Sequence, residues 1–211
     1  MPRAANRCRA KSLFGFFEPA SAAFDIHILH GSNPFAVYHR IIGHEFAGVI
    51  DAVGEGVSQH AVGDPVVGDP VVACGCCHPC RLGRPNVCAN LQVIGVHRDG
   101  GFRSAAVVPA ENAVKVSPDL SIDVAALAEP LAVAANGLSR AGCGPEDVVL
   151  IYRAGTVGVT VLQVARMKGA RCIVVDIDGE RLERVKAFGA DATINSRERS
   201  VAEAVAGELE G

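Results

Sequence analysis

The sequence predicts a chain of two parts, a small β-barrel followed by a parallel α/β sheet. Three observations support this fold class. Short runs rich in Val and Ile, broken by glycines, fill the first part; a cysteine cluster lies within it; and strand-like runs alternate with helix-like runs in the second part. The change of pattern places the domain boundary near residue 130, with one domain over 1–130 and the other over 131–211.

Composition limits the classes of partner. With 211 residues, of which 49% are hydrophobic, the chain can form two apolar cores. Its net charge of -3 creates no field that would attract nucleic acid or an anionic membrane. No apolar run approaches the roughly 20 residues that span a bilayer, and no signal-peptide core of adequate length follows the N-terminal basic residues. We therefore expect a globular protein with no nucleic-acid and no membrane partner.

The first part of the chain contains mainly predicted β-strands. Residues 1–24 show no clear period, and we assign them no structure. The repeat VGDPVVGDPVV at 62–72 predicts two adjacent strands or one bent strand. Asp99, Gly100 and Gly101 predict a turn between two strands. The predicted strands lie within Ile41–Val72 and at Val93–Val96, Phe102–Val108 and Val114–Val116.

Helices and strands alternate in the second part, which predicts a parallel sheet. An alanine-rich stretch from Ser121 to Gly142 has helical spacing, and Pro130 is expected to divide it into two short helices. Strands are then predicted at Val148–Tyr152, Cys172–Asp176 and Ala192–Asn195. Helices are predicted at Val157–Lys168, Arg181–Phe188 and Val201–Leu209.

The spacing C-x2-C-x2-C-x7-C, formed by Cys74, Cys77, Cys80 and Cys88, is the strongest chemical signal. Gly and Pro bend the chain between these residues, so that four thiolates can meet one tetrahedral zinc ion. Cys76 offers an alternative register, but even spacers favour Cys77. The pattern predicts a structural zinc site, with buried or reactive thiols as the alternative. Disulfides between such close neighbours would be strained, so we expect a reducing, cytoplasmic setting.

A partial dinucleotide-binding motif follows the first strand of the second part. The turn RAGTVG places Gly155, Thr156, Val157 and Gly158 at a helix start, where backbone amides can bind a phosphate. Asp176 ends the next strand about 20 residues later, where a carboxylate binds ribose hydroxyls and repels a 2'-phosphate. The motif therefore predicts NAD rather than NADP, with a βαβ unit that binds nothing as the alternative.

Several segments together resemble the zinc-dependent medium-chain dehydrogenases/reductases. Within that family the resemblance is closest to the polyol and sugar-acid branch, which includes L-galactonate, L-idonate and sorbitol dehydrogenase-like enzymes. It implies a GroES-like barrel with a catalytic zinc, a Rossmann domain that binds NAD, and homo-oligomers that form through Rossmann edges, which this chain is expected to lack. The matching segments are GHEFAGVIDAVGEGV, the cysteine cluster, GRPNVC, GVHRDGGF, AEPLAVAAN and RAGTVG.

The resemblance also implies the catalytic residues. His44 and Glu45 of the GHE segment match a zinc ligand and its carboxylate neighbour, and Glu129 of the EP pair matches a further acidic ligand. Zinc held by three protein groups keeps one position open for a substrate alcohol. Without the resemblance, His44 and Glu45 would be interpreted as a hydrogen-bonded surface pair and Glu129 as a charge at a helix end.

The chain departs from the family pattern in several places. The family has a C-G-S-D or C-G-T-D segment, which supplies a zinc-binding thiolate and a proton-relaying hydroxyl, where this chain has Ala22 and Phe24. Residues 1–21 show no counterpart of the family's opening strands, and the family continues through further Rossmann strands beyond the position of Gly211. Arg153 replaces the first glycine of the dinucleotide motif, where its side chain would either pair with the phosphates or obstruct them.

The expected function is therefore that of a zinc-dependent, NAD-linked dehydrogenase that oxidises a polyol or sugar acid, with impaired turnover. His27 or His30 could replace the missing thiolate, although exposed loop histidines are the commoner explanation. The alternative function is a non-catalytic zinc-binding protein with a structural or interaction role. A zinc-ribbon nucleic-acid module is disfavoured, because only Arg81 and Arg84 add positive charge near the cysteines.

Overall fold

The computed structural model describes residues 12–19 and 23–210. The chain divides into two units, one that ends at Glu129 and one that begins at Pro130. The first unit is built mainly of antiparallel β-strands, and the second alternates parallel strands with helices. The predicted fold class is confirmed.

The described strands of the first unit are β1 (Ser12–Pro19), β2 (Phe46–Val53), β3 (Pro65–Gly68), β4 (Val71–Val72), β5 (Gln92–Val93), β6 (Ala105–Pro109) and β7 (Ala113–Lys115). Most of them belong to one antiparallel sheet, whose order is β6-β1-β2-β3-β7. Strands β4 and β5 pair separately. Short helices connect the strands of this unit, namely α1 (Ala23–Leu29), α2 (His78–Arg81), α3 (Ile122–Ala125) and the 3₁₀ turns Pro85–Val87 and Ala110–Asn112.

Strand β1 is an element that the sequence analysis missed. It pairs antiparallel with β2 on one side and with β6 on the other, and the register shifts between Phe14 and Gly15. The run SLFGFFEP does not alternate apolar with polar residues, and a glycine interrupts it, so the usual period-2 signal is absent. We assign no structure to residues 1–24 from the sequence, but residues 12–19 form a strand. The expectation that residues 1–21 contain no opening strand is therefore wrong for 12–19.

The structure refines two local predictions. The two copies of the VGDPV repeat form two strands that follow each other along the chain, rather than one bent strand, and β3 and β4 belong to different sheets. The Asp99–Gly101 segment does not join two paired strands, because β5 pairs with β4 while β6 pairs with β1. The hydrogen-bonded turn in this region lies at 95–97 rather than at 99–101, and partners far away in sequence decided the pairing.

The break in the alanine-rich stretch falls at a different residue from the one expected. Helix α3 ends at Ala125, and α4 (Ala128–Arg140) begins after a turn at 126–127. Pro130 lies in the first turn of α4, where its missing N–H would have no intrahelical acceptor anyway. The proline therefore starts a helix rather than splitting one.

The described strands of the second unit are β8 (Val148–Tyr152), β9 (Arg171–Asp176) and β10 (Ala192–Asn195), and the helices are α5 (Thr156–Met167), α6 (Gly179–Ala187) and α7 (Val201–Glu210). The three strands form a parallel sheet of order β10-β9-β8. These elements match the predicted ones closely. The central strand β9 is buried along most of its length, as expected for a strand covered on both faces.

One stretch, Ile122–Arg140, is long and apolar enough to cross a membrane by length and composition alone, with 19 residues and a mean hydropathy of 1.2. By length and composition, the expectation that no apolar run approaches the length of a membrane span is wrong for this stretch, which contains Asp123 and Glu129. Ala125 and Ala126 within it pack with Ala47 of β2 in a buried cluster. A core helix passes the same test, so the finding is weak evidence for a membrane.

Candidate metal and cofactor sites

The four cysteines of the predicted zinc site converge. The sulfur atoms of Cys74, Cys77, Cys80 and Cys88 all lie within 4.8 Å of one another. The Cys77 sulfur lies 3.3 Å from that of Cys80 and 3.8 Å from that of Cys88. A tetrahedral zinc ion with Zn–S bonds of about 2.3 Å requires sulfurs about 3.8 Å apart, so this set fits the ion.

Backbone amides around the cluster stabilise thiolates. The N–H groups of Cys74 and Asn90 donate to the Cys88 sulfur, each at 3.3 Å, and the Cys77 N–H donates to the Cys74 sulfur at 3.4 Å. Backbone N–H groups of Cys76 and Cys77 lower the pKa of Cys74 to about 5. Hydrogen bonding to Cys77 raises the pKa of Cys80 to about 12. A zinc ion bound among the four sulfurs would stabilise all four as thiolates.

The fifth thiol, that of Cys76, is not a member of this set of four. Cys76 is exposed, and its sulfur lies 3.7 Å from that of Cys74 but outside the four-membered cluster. The geometry thus favours the register through Cys77 over the register through Cys76.

A second cluster combines one imidazole with two carboxylates. Ligand atoms of His44, Glu45 and Glu129 lie within 4.8 Å of one another, although Glu129 is 84 residues beyond Glu45. His44 and Glu45 end the loop that leads into β2, and Glu129 lies in the first turn of α4. The structure therefore brings together the three residues that the family resemblance implied.

Close backbone packing holds the His44 loop in place. The N–H groups of Gly101 and Phe102 donate to the carbonyls of Gly43 and Ile42, at 2.8 and 3.0 Å. A Cβ added at Gly100 would lie 2.1 Å from the Gly43 carbonyl oxygen. The backbone of the GHE segment thus packs directly against the backbone of the DGGF segment. This contact holds the backbone that carries the His44 imidazole.

Asp25 is a site residue that the sequence analysis did not single out. Its buried carboxylate lies 3.2 Å from Nδ1 of His44 and accepts the N–H of Gly43 at 3.2 Å. With Nδ1–H donated to Asp25, Nε2 of His44 is the nitrogen left to bind a metal. The signal lay in the aspartate of the family's C-G-S-D segment, which this chain keeps although the cysteine is missing.

The ionisable groups of this cluster reflect a surplus of negative charge. Burial lowers the pKa of His44, but the hydrogen bond and charge of Asp25 outweigh it and raise the pKa above its usual value. Burial, together with neighbouring carboxylates, raises the pKa values of Glu45 and Glu129. Three carboxylates around one imidazole in a half-buried site fit a divalent cation, which would neutralise them.

The proposed substitutes for the missing cysteine do not join this cluster. Ala22 lies outside the described residues. His27 and His30 are exposed, and neither belongs to a potential metal cluster in the described part of the chain. His27 instead lies 3.3 Å from the Ser32 hydroxyl.

The β8–α5 turn has the backbone of a phosphate-binding loop. Gly155 caps α5, and Thr156, Val157 and Gly158 form its first turn. A Cβ at Gly158 would lie 1.9 Å from the carbonyl oxygen of Arg153, so only glycine fits there, while the space around Gly155 is open. These observations fit the approach of a pyrophosphate to the helix start.

Arg153 has φ of +76°, the left-handed region that favours glycine. Its N–H donates to the Val175 carbonyl at 2.7 Å. The arginine thus adopts the backbone conformation of the glycine that it replaces in the motif, at a cost of roughly 1–2 kcal/mol.

Asp176 lies at the end of β9 beside this turn. Its carboxylate accepts the N–H groups of Ala154 at 2.6 Å, Ile177 at 2.7 Å and Asp178 at 3.0 Å. Burial raises its pKa, but these donors outweigh burial and lower the pKa below its usual value. Asp176 borders a cavity of about 370 Å³, also lined by Arg153 and Arg181, which is large enough for part of a nucleotide.

Comparison with known proteins gives two family matches. Residues 20–118 match the alcohol dehydrogenase GroES-like domain, and residues 156–211 match the zinc-binding dehydrogenase domain. These matches cover the two predicted parts of the chain in the predicted order.

Individual relatives of this chain support the same family as the two domain matches. The starvation-sensing protein RspB of Escherichia coli K12 is 50% identical over 183 residues, which is 85% of this chain and 53% of that protein. L-galactonate-5-dehydrogenase of the same strain is 39% identical over 163 residues, 76% of this chain and 47% of the relative. A crystal structure of the RspB alcohol dehydrogenase of E. coli CFT073 with NADH superposes with a TM-score of 0.85 at 44% identity, covering 93% of this chain and 58% of that one.

This chain spans about half the length of the curated relatives that it matches. The domain order, the convergence of both clusters and the relatives lead to one conclusion: the chain belongs to the zinc-dependent medium-chain alcohol dehydrogenase superfamily.

Proposed function

We propose that this protein is a zinc-dependent, NAD-linked dehydrogenase that oxidises a secondary hydroxyl of a polyol or sugar acid. The observation that carries the proposal is the convergence of His44, Glu45 and Glu129 in the first unit. In this proposal these residues hold a catalytic zinc, and Cys74, Cys77, Cys80 and Cys88 hold a structural zinc.

The residues of the catalytic cluster divide into one that positions the imidazole and others that hold the metal ion. A bound zinc would lower the pKa of the substrate alcohol, and NAD would accept the hydride. Asp25 fixes the ring and tautomer of His44 through Nδ1, so that Nε2 is presented as a ligand. Glu45 and Glu129 supply the negative charge that holds the cation, and either can accept the proton released from the alcohol.

The cofactor half of the proposal rests on the second unit. The first turn of α5 would bind the pyrophosphate through the backbone N–H groups of Gly155, Thr156, Val157 and Gly158. Asp176 would accept a ribose hydroxyl, and its negative charge favours NAD over NADP.

We expect turnover below that of an enzyme with the full ligand set. Ala22 offers no thiolate where the family has one, and Phe24 offers no hydroxyl for proton relay. Arg153 places a long side chain where the family has glycine. Two carboxylates and one imidazole hold zinc more weakly than a set that includes a thiolate.

The substrate class follows the similarity to L-galactonate-5-dehydrogenase. The cysteines in the described part of the chain are free, which agrees with a reducing, cytoplasmic setting.

The test measures NADH formation from L-galactonate, L-idonate and sorbitol in the presence of zinc. The wild-type chain should give slow turnover, and the Ala22→Cys, Arg153→Gly double variant should give faster turnover, because it restores a thiolate ligand and the glycine turn. Glu129→Gln should abolish turnover in both backgrounds. No NADH from the double variant with any of these substrates would reject the proposal.

A second candidate function is a non-catalytic zinc protein in which only the cysteine cluster binds metal. Ala22, Phe24 and Arg153 favour it, because each removes or obstructs a group needed for catalysis. One zinc ion per chain in the presence of excess zinc would support this candidate, whereas two would support the dehydrogenase.

A further inference from the structure

Three arginines line one cavity in the first unit, namely Arg40, Arg98 and Arg103. The cavity has a volume of about 280 Å³, and Asp99 and Val107 complete its lining. All three arginines are half-buried, although long cationic side chains are usually exposed.

The backbone contact that fixes the His44 loop also assembles these arginines. Segments 41–43 and 100–102 are hydrogen-bonded to each other. Arg40 immediately precedes the first segment, and Arg98 and Arg103 flank the second. The cluster is therefore built by the tight core of the unit rather than by a flexible loop.

Positive charge exceeds negative charge on the cavity wall. Three guanidinium groups face a single lining carboxylate, a formal surplus of two positive charges. The nearest nitrogens of Arg40 and Arg103 lie 3.6 and 3.7 Å from the Asp99 oxygens, and the Asp99 side chain is half exposed. One solvated carboxylate at these distances compensates the three cations only in part.

The guanidinium groups also have spare donors. Nε of Arg40 donates to the Val37 carbonyl at 3.2 Å, and Nε of Arg103 donates to the Ala105 carbonyl, which holds both side chains in position. For the Arg98 guanidinium, residues 12–19 and 23–210 provide no hydrogen-bond or ion-pair partner. A half-buried cation without an acceptor is unfavourable, and an oxyanion would satisfy it.

We propose that this cavity binds the phosphate group of a small phosphate monoester. A phosphate monoester carries about -1.5 to -2 charge at pH 7, which matches the surplus of two positive charges on the cavity wall. A carboxylate carries only one negative charge. The fork of N–H donors on guanidinium matches phosphate oxygens in bidentate geometry. The site is separate from the residues of the proposed dehydrogenase reaction, and the proposal stands without that function.

Isothermal titration of the 211-residue chain with inorganic phosphate, glycerol 3-phosphate and gluconate tests the site. Both phosphates should bind saturably and more tightly than gluconate. Arg98→Ala should weaken phosphate binding about tenfold, the usual effect of losing one charge-assisted contact. Arg197→Ala, which removes the same charge from an exposed position in the second unit, should leave binding unchanged.

Thermal unfolding distinguishes a ligand site from a structural role. Without phosphate, Arg98→Ala should unfold at the wild-type temperature or higher, because it removes an uncompensated cation. Added phosphate should raise the unfolding temperature of the wild type more than that of Arg98→Ala. The proposal is overturned by a lack of saturable phosphate binding, by tighter binding of gluconate than of phosphate, or by equal weakening in Arg98→Ala and Arg197→Ala.

Discussion

Oδ1 of Asp25 joins two parts of the candidate catalytic site: it lies 3.2 Å from Nδ1 of His44 and accepts the N–H of Gly43 at the same distance. Such outer partners of a metal-binding histidine typically change metal affinity 10- to 100-fold. We predict that Asp25→Asn weakens zinc binding at the His44 cluster by roughly this factor while the cysteine cluster keeps its zinc.

Competition with a chromophoric chelator measures this effect for each zinc equivalent. Asp119→Asn is the matched control, since Asp119 is exposed and, in the described part of the chain, its backbone N–H rather than its carboxylate makes the hydrogen bond, to the Ser117 hydroxyl oxygen. Equal zinc affinities in wild type and Asp25→Asn would show that Asp25 does not position His44.

The cysteine cluster offers an internal comparison between neighbouring thiols. Cys80→Ser should release the structural zinc and lower the unfolding temperature, because metal binding in such lobes is coupled to folding. Cys76→Ser should keep both the zinc and the stability, since the Cys76 sulfur lies outside the four-membered cluster. Zinc analysis and thermal unfolding of the two variants check this prediction, and zinc loss in Cys76→Ser alone would shift the register to Cys76.

The sequence was sufficient where a site depends on neighbours along the chain. The four clustered cysteines lie within 15 residues, and the α5 turn is one continuous segment, so spacing alone indicated both candidate sites. Glu129 could be assigned to the His44 site only through the family resemblance, because the fold supplies the contact across 84 residues. No local pattern indicated the pairing of β1, and the aspartate of the C-G-S-D segment did not by itself indicate that Asp25 contacts His44. Both features depend on tertiary packing.

Two glycines in helices of the second unit should respond oppositely to the same change. Gly158→Ala places a Cβ 1.9 Å from the Arg153 carbonyl oxygen, and forced backbone shifts of this kind cost about 1–3 kcal/mol. Gly207→Ala in α7 meets no atom within 4 Å and should stabilise the chain by about 0.5–1 kcal/mol. Urea unfolding of the two variants provides the free energies. Equal effects would contradict the close approach at Gly158.

Low pH should destabilise the folded chain at the β8–α5 turn, because the Asp176 carboxylate becomes protonated. Its pKa is lower in the folded chain than the usual value of about 3.9, so its contribution to stability is complete above that pH and is lost as the pH falls through the folded-state pKa. At pH 7, Asp176→Asn should be less stable than the wild type, because an amide has one oxygen to accept three N–H groups. The difference should shrink below about pH 4. A difference independent of pH between 7 and 2 would contradict this role of the carboxylate.

Native mass spectrometry of the chain supplied with zinc tests the central claim that the fold builds two distinct metal sites. We predict two zinc ions per chain, falling to one in His44→Ala and to one in Cys80→Ser, with the cysteine-bound ion held more tightly. A single zinc ion per chain in excess zinc would contradict the second metal site, and a chain that binds no zinc, and whose Cys74, Cys77, Cys80 and Cys88 are all alkylated in the native state, would contradict the whole account.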